Sequence, residues 1–189
     1  MAESVVPVPV DEALDLLDVL IAYDTVALTP NLDLISDVQD RLEALGASVV
    51  LTHDDSGTKA NLFATIGPNI NGGVVLSGHS DVVPVDPADW TTPPFTADRR
   101  HGRVYGRGTA DMKGFVACVL AMAPIYAELD LTVPIHVALT FDEEDGFHGA
   151  PILLADLVER GVRPSAAIIG EPTGLRTRSE EHTSELQSQ

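Results

Sequence analysis

The run Leu76-Ser77-Gly78-His79-Ser80-Asp81-Val82-Val83-Pro84 constrains this chain more than any other stretch, because an apolar segment carries a histidine and an aspartate, two residues apart, into a turn. An imidazole can ligate a divalent ion through one nitrogen while a carboxylate orients the ring through the other. A His-x-Asp pair alone is equally what a surface turn presents. Three later segments change the reading: Gly108-Thr109-Ala110-Asp111-Met112-Lys113-Gly114, Thr140-Phe141-Asp142-Glu143-Glu144-Asp145-Gly146 and Ile169-Gly170-Glu171-Pro172-Thr173. Each acidic group follows a strand-like or Gly-rich stretch, so all can converge with His79 at one edge of a sheet.

The 189 residues allow one domain with a sizeable core, or one domain and part of a second. A hydrophobic fraction of 44% argues against disorder. With 11 basic and 29 acidic residues the formal charge is −18, which disfavours a nucleic-acid surface and gives no reason to expect binding to anionic membranes. A solvated acidic surface accounts for most of that charge, and some carboxylates are free to hold cations. Cys118 is the single cysteine, which rules out an intrachain disulfide; its apolar neighbours suggest a buried helix residue rather than a nucleophile. The N-terminus lacks the basic and apolar regions of a signal peptide, and no apolar run reaches the roughly 18 residues that span a bilayer. The expectation is a soluble, cytoplasmic protein.

Apolar periodicity predicts helices over 11–27 and 32–45, the second stopped by Gly46. Three β-rich runs follow at 47–52, 61–66 and 74–77, separated by Asp/Ser/Gly and Gly/Pro/Asn turns. After a Pro-rich loop over 84–95, a helix is expected over 112–129, bent or divided by Pro124. A strand over 134–141, a helix over 152–159 and a strand over 166–169 complete the series. This order implies an α/β fold, a mixed sheet with helices on both faces.

Hydrolysis of an unactivated amide needs a nucleophilic water, an electrophile for the carbonyl and a group that moves protons; two divalent metals and one free carboxylate supply all three. On that count His79 and Glu171 could complete a first metal, Glu144 could serve a second, Asp111 could bridge them and Glu143 would remain as base. Each has a plainer alternative. Glu143 and Glu144 could be a solvated acidic turn, Asp111 could cap the helix beginning near Met112, and Glu171 could be an ordinary exposed glutamate. No structural requirement explains their joint occurrence at successive strand ends. By alternation, His136 faces away from Ile135, Val137, Leu139 and Phe141, while His53, His101 and His148 fall in polar turns.

In wording and order, Gly78-His79-Ser80-Asp81-Val82-Val83-Pro84-Val85, Trp90 with Pro94-Phe95, the stretch from Gly102 to Gly114, Asp142-Glu143-Glu144 and Gly170-Glu171-Pro172-Thr173 resemble the dinuclear zinc family of acetylornithine deacetylase, succinyl-diaminopimelate desuccinylase, aminoacylases and glutamate carboxypeptidases. The likeness is strongest to the acetylornithine deacetylases and covers residues 11–173. It implies a zinc-exopeptidase-like catalytic domain and removal of acetate from N2-acetyl-ornithine in arginine biosynthesis, with desuccinylation or another amidohydrolase or carboxypeptidase reaction as the alternative. A metal-binding module without hydrolysis is the reading from another class; the spare carboxylate of Glu143 beside Glu144 argues against it.

Position by position, the resemblance implies that His79 and Glu171 bind the first zinc, Asp111 bridges, Glu144 binds the second zinc, Glu143 is the general acid and base, and Asp81 orients His79. Cobalt or manganese could replace zinc. A cis peptide is implied after Asp111. The substrate would be a small N-acyl amino acid, with no nucleic-acid or membrane partner, and the full-length form a homodimer.

Members of that family are roughly twice this length. Residues 1–177 are therefore expected to be the amino-terminal part of a truncated catalytic domain, with the lid and dimerisation domain absent, the second metal short of a histidine, and the fragment inactive. Residues 178–189 are polar, aperiodic and resemble the translation of a sequencing-adapter oligonucleotide; they are expected to be non-native.

Overall fold

The computed structural model describes residues 7–174 and 176, so the expected non-native tail over 178–189 lies outside the described residues. Two helices, α1 (Val10–Ala22) and α2 (Leu32–Ala44), precede strands β1 (Ser48–His53), β2 (Ala60–Ile66) and β3 (Val74–His79). The short strands β4 (Asp98–Arg100) and β5 (Arg103–Tyr105) form a separate hairpin, followed by α3 (Lys113–Glu128), β6 (Ile135–Thr140), α4 (Gly149–Glu159) and β7 (Ala166–Ile169). The hairpin escapes a reading by period because three residues per strand carry no usable alternation. Pro124 neither divides nor ends α3, which continues through it to Glu128.

The main sheet has the order β1-β2-β6-β3-β7. β6, β3 and β7 run parallel to one another, whereas β2 is antiparallel to both β1 and β6. The carboxyl ends of β3, β6 and β7 and the amino end of β2 therefore meet at one edge, the edge where ligands bind in open α/β sheets.

Alternation along the strands assigns the two faces. Leu62, Ala64 and Ile66 of β2 with Val137 and Leu139 of β6 join the core formed by Leu16, Leu17, Leu20 and Ile21 of α1, Leu34, Ile35, Val38 and Leu42 of α2, and Val116, Ala117, Val119, Leu120, Ala121 and Ala123 of α3. Phe63 and Ala138 point the other way and pack with Val75 against Leu153 and Leu157 of α4. His136 shares that second face, as its alternation predicts: it is buried, hydrogen-bonded to Thr65 and stacked at 5.0 Å on Phe63. Cys118 corrects the expectation, since it lies exposed on α3. The helix buries Val116, Ala117, Val119 and Leu120, and Cys118 falls on the stripe between them that faces water. Among the described residues no helix is long and apolar enough to cross a membrane.

Leu62 is fully buried at the centre of β2. Leu62→Ala should lower unfolding free energy by about 2–5 kcal/mol through lost transfer and a residual cavity, whereas exposed Val158→Ala on α4 should change it by less than about 0.5 kcal/mol; urea denaturation of the two variants checks the contrast.

Candidate metal centre

His79 closes β3, directly opposite Thr140 at the end of β6. Its imidazole is 1% exposed, deep enough that both ring nitrogens need partners. Nδ1 lies 2.8 Å from the backbone carbonyl of Asp81 and 3.6 Å from that residue's carboxylate. Nε2 faces outward: 3.1 Å from Asp111 Oδ1, 4.0 Å from Glu143 Oε2 and 4.0 Å from Glu171 Oε1. Met112 packs its thioether beneath this histidine, with Sδ 3.3 Å from the His79 backbone nitrogen.

The Asp81 carboxylate itself turns to the next strand. Its two oxygens accept the backbone N–H groups of Glu143, at 3.1 Å, and Glu144, at 3.0 Å. A single buried aspartate thus joins the turn after β3 to the turn after β6. Asn61, buried in β2, pinches that second turn at its base: its Oδ1 accepts the Phe141 N–H and its Nδ2 donates to the Gly149 carbonyl. Sequence reading passed over Asn61. Its signal was an amide inside the apolar run Asn61-Leu62-Phe63-Ala64, because a buried amide in a strand must find partners.

The candidate side chains fall into two groupings within ligand reach: His79 with Asp111 and Glu171, and His79 with Glu143 and Glu144. Asp111 precedes the helix boundary, and Met112 occupies the N-cap position of α3 without a side-chain cap. The Asp111 carboxylate is instead hydrogen-bonded to His79. The peptide between Asp111 and Met112 is cis. His148 is exposed, and neither His148, His53 nor His101 enters either grouping.

Charge in the cluster is unbalanced. Burial, then mutual repulsion among Asp111, Glu143, Glu144, Glu171 and Asp81, raises the carboxyls of Glu143, Glu144 and Glu171 above the ordinary glutamate range, although His79 pulls them down. Burial opposes the charged form of His79, yet Asp81, Asp111 and Glu143 outweigh it and raise its pKa. Ionised carboxylates are acceptors only, and one imidazole cannot satisfy four of them. The donor set of one nitrogen and several oxygens therefore fits divalent cations such as zinc.

Residues 75–181 match the model of the Peptidase family M20/M25/M40. The chain belongs to this family. Curated M20-family relatives include the acetylornithine deacetylase of Proteus mirabilis, 41% identical over 144 residues that make up 76% of this chain and 36% of that protein. The acetylornithine deacetylase of Yersinia pestis is 44% identical over 126 residues, 65% of this chain and 32% of the relative. The chain thus spans about a third of the length of the curated relatives it matches. Among solved structures, human carnosine dipeptidase 1 aligns with a TM-score of 0.72 at 26% identity, over 84% of this chain and 38% of that one. An M20 family metallo-carboxypeptidase from Sulfolobus solfataricus aligns with a TM-score of 0.72 at 23% identity, over 85% of this chain and 37% of that one. Over the matched residues the fold is an α/β mixed sheet similar to the M20 metallopeptidase catalytic domain.

Gly170 immediately precedes Glu171, and a Cβ placed on it would lie 2.0 Å from Cγ of Phe115. The Phe115 ring therefore lies directly against the backbone that presents Glu171. Gly170→Ala should cost about 1–3 kcal/mol by overpacking, and the cost should shrink in a Phe115→Ala background; a double-mutant cycle by urea denaturation measures it, and equal costs in both backgrounds would contradict the contact.

Proposed function

We propose that this site holds two divalent metal ions, zinc in the first instance, and that the full-length protein hydrolyses the amide of N2-acetyl-ornithine. The reading rests on one observation above the others: His79, Asp111 and Glu171, from three separate segments, bring ligand atoms within 4.8 Å of one another. Bound there, zinc would polarise the scissile carbonyl and lower the pKa of a water.

Each residue is then given the role that the family resemblance implies. His79 and Glu171 would hold the first ion, Asp111 would serve both, and Glu144 would hold the second. Glu143, beside Glu144 on the same turn, keeps a carboxylate free to take a proton from the attacking water and return it to the leaving amine. Asp81 fixes the geometry twice, through its carbonyl to His79 and through its carboxylate to the Glu143 and Glu144 backbones. The substrate class is a small N-acyl amino acid. The likeness to acetylornithine deacetylases at 41–44% identity favours N2-acetyl-ornithine within that class, and the full-length protein is read as a homodimer on the same resemblance.

In a full-length protein, Glu143→Gln should lower kcat by about 10²- to 10⁴-fold while leaving metal content near that of the parent, because the amide keeps the shape but takes up no proton. Glu144→Gln should instead lower metal content. Metal analysis beside kinetics on N2-acetyl-ornithine distinguishes the two, and the opposite pattern would reverse the assignment. N2-succinyl substrates and dipeptides assayed in parallel would identify a desuccinylase or peptidase if they were the better substrates.

Among the described residues His79 is the one histidine in either grouping. The second ion would then have Asp111 and Glu144 from this chain, one fewer than the three protein ligands usual in catalytic zinc sites. The 189-residue chain alone should consequently release no acetate from N2-acetyl-ornithine even with zinc added, and zinc-dependent release by it would contradict the ligand assignment.

A further inference from the structure

Lys59 is buried just before β2, 83 residues from its partner Asp142 and outside every motif that marks the metal centre. Its ammonium pairs with Oδ2 of Asp142; the two side chains are 10% and 5% exposed. The other Asp142 oxygen accepts the Leu28 N–H at 2.8 Å, and the Asp142 carbonyl accepts the His148 N–H at 3.2 Å. Asp142 has φ of 50°, in the left-handed region, and directly precedes Glu143. Leu28, the residue bound to it, also has positive φ, at 69°. Such backbone angles persist where surrounding bonds over-determine them.

We propose that Lys59 is a positioning residue for the metal centre: by holding Asp142 in its left-handed conformation, it fixes the direction in which the turn presents Glu143 and Glu144 to His79. The inference rests on the metal reading above. The geometry behind it has three parts. First, Asp142 and the pair Glu143 and Glu144 are consecutive, so rotation at Asp142 swings both glutamates. Second, the turn is held on one side by Asp81, which accepts the Glu143 and Glu144 N–H groups, and on the other by Lys59. Third, Asn31 fixes the segment that carries Lys59, since its side chain bonds both the N–H and the carbonyl of Ala60 and also reaches the Ser80 hydroxyl, between His79 and Asp81. Lys59 thus belongs to a frame tied to both sides of the site.

A buried carboxylate whose cation is removed is left uncompensated and must move toward water. The turn would relax with it, while His79, Asp111 and Glu171, which sit on other segments, would stay. The effect should therefore fall on the geometry of the Glu143 and Glu144 side of the site.

The test is a titration of the full-length protein with cobalt(II), followed by calorimetry and by visible ligand-field absorption, which reports coordination geometry. It would use Lys59→Met, Asp142→Asn and the double variant, all at a temperature where far-ultraviolet circular dichroism shows them folded. Lys59→Met should weaken cobalt binding by about 10- to 100-fold, the range for residues that orient metal ligands, and shift the absorption bands. The double variant should be no weaker than the weaker single, because both substitutions break one interaction. If Lys59→Met does not fold, the neutral double variant decides by the same criterion of affinity and spectrum. Unchanged affinity and bands in the folded variants, beside a parent that binds cobalt, would overturn the role of Lys59 alone. Failure of the parent to bind cobalt would overturn the metal reading and this inference with it.

Discussion

The site depends on the two-way grip of Asp81. Its carbonyl holds the His79 ring from behind, and its carboxylate accepts the N–H groups of Glu143 and Glu144. Because β3 and β6 are parallel neighbours with His79 opposite Thr140, the turns that follow them leave the sheet side by side. One short side chain can therefore span both. Parallel pairing is what makes this possible; in an antiparallel pair the two turns would emerge at opposite ends of the sheet.

The cost of this arrangement is electrostatic. Asp81, Asp111, Glu143, Glu144 and Glu171 crowd around a single imidazole, and the chain as a whole carries a formal charge of −18. Burial first, and then repulsion among the carboxylates that folding brings together, makes three of them hold their protons more tightly than free glutamate. Among the described residues, the buried lysines are Lys59 and Lys113. Both lie beside the site but outside it. Lys59 neutralises Asp142, and Lys113 donates to the carbonyls of Leu20 and Tyr23 at the end of α1, where burial lowers its pKa to about 8. Neither occupies the space between the carboxylates, so the field there favours a small cation of high charge.

Much of this was legible in the sequence because the ligands stand at ends of regular elements. Apolar runs located β3, β6 and β7, and the acidic residues after them had to share an edge once those strands were parallel. The position of Asp81 was legible too, but not its geometry: the spacing suggested a carboxylate on the imidazole, whereas the closer partner of the ring is the Asp81 carbonyl. The partners of Lys59, Asn61 and Asn31 were not legible, since they lie 83, 80 and 49 residues away and only the folded register brings them together. Cys118 misled for a related reason: its apolar neighbours on both sides gave no hint of which stripe of α3 meets water.

Close packing completes the arrangement, and it explains residues that carry no chemistry. Gly78 lets Met112 approach the end of β3, because a Cβ there would meet the Met112 methyl at 3.1 Å and Val116 at 3.2 Å. Gly149 allows the returning chain to close against Phe141 and Asn61, where a Cβ would come within 2.5 Å of the Phe141 carbonyl and 2.6 Å of the Asn61 amide oxygen. Gly149 brings the backbone near enough for Asn61 to bridge Phe141 and Gly149. The turn that carries Glu143 and Glu144 is thus held through its backbone by Asn61 and Asp81 and through the Asp142 side chain by Lys59, which leaves the carboxylates of Glu143 and Glu144 free to face the site.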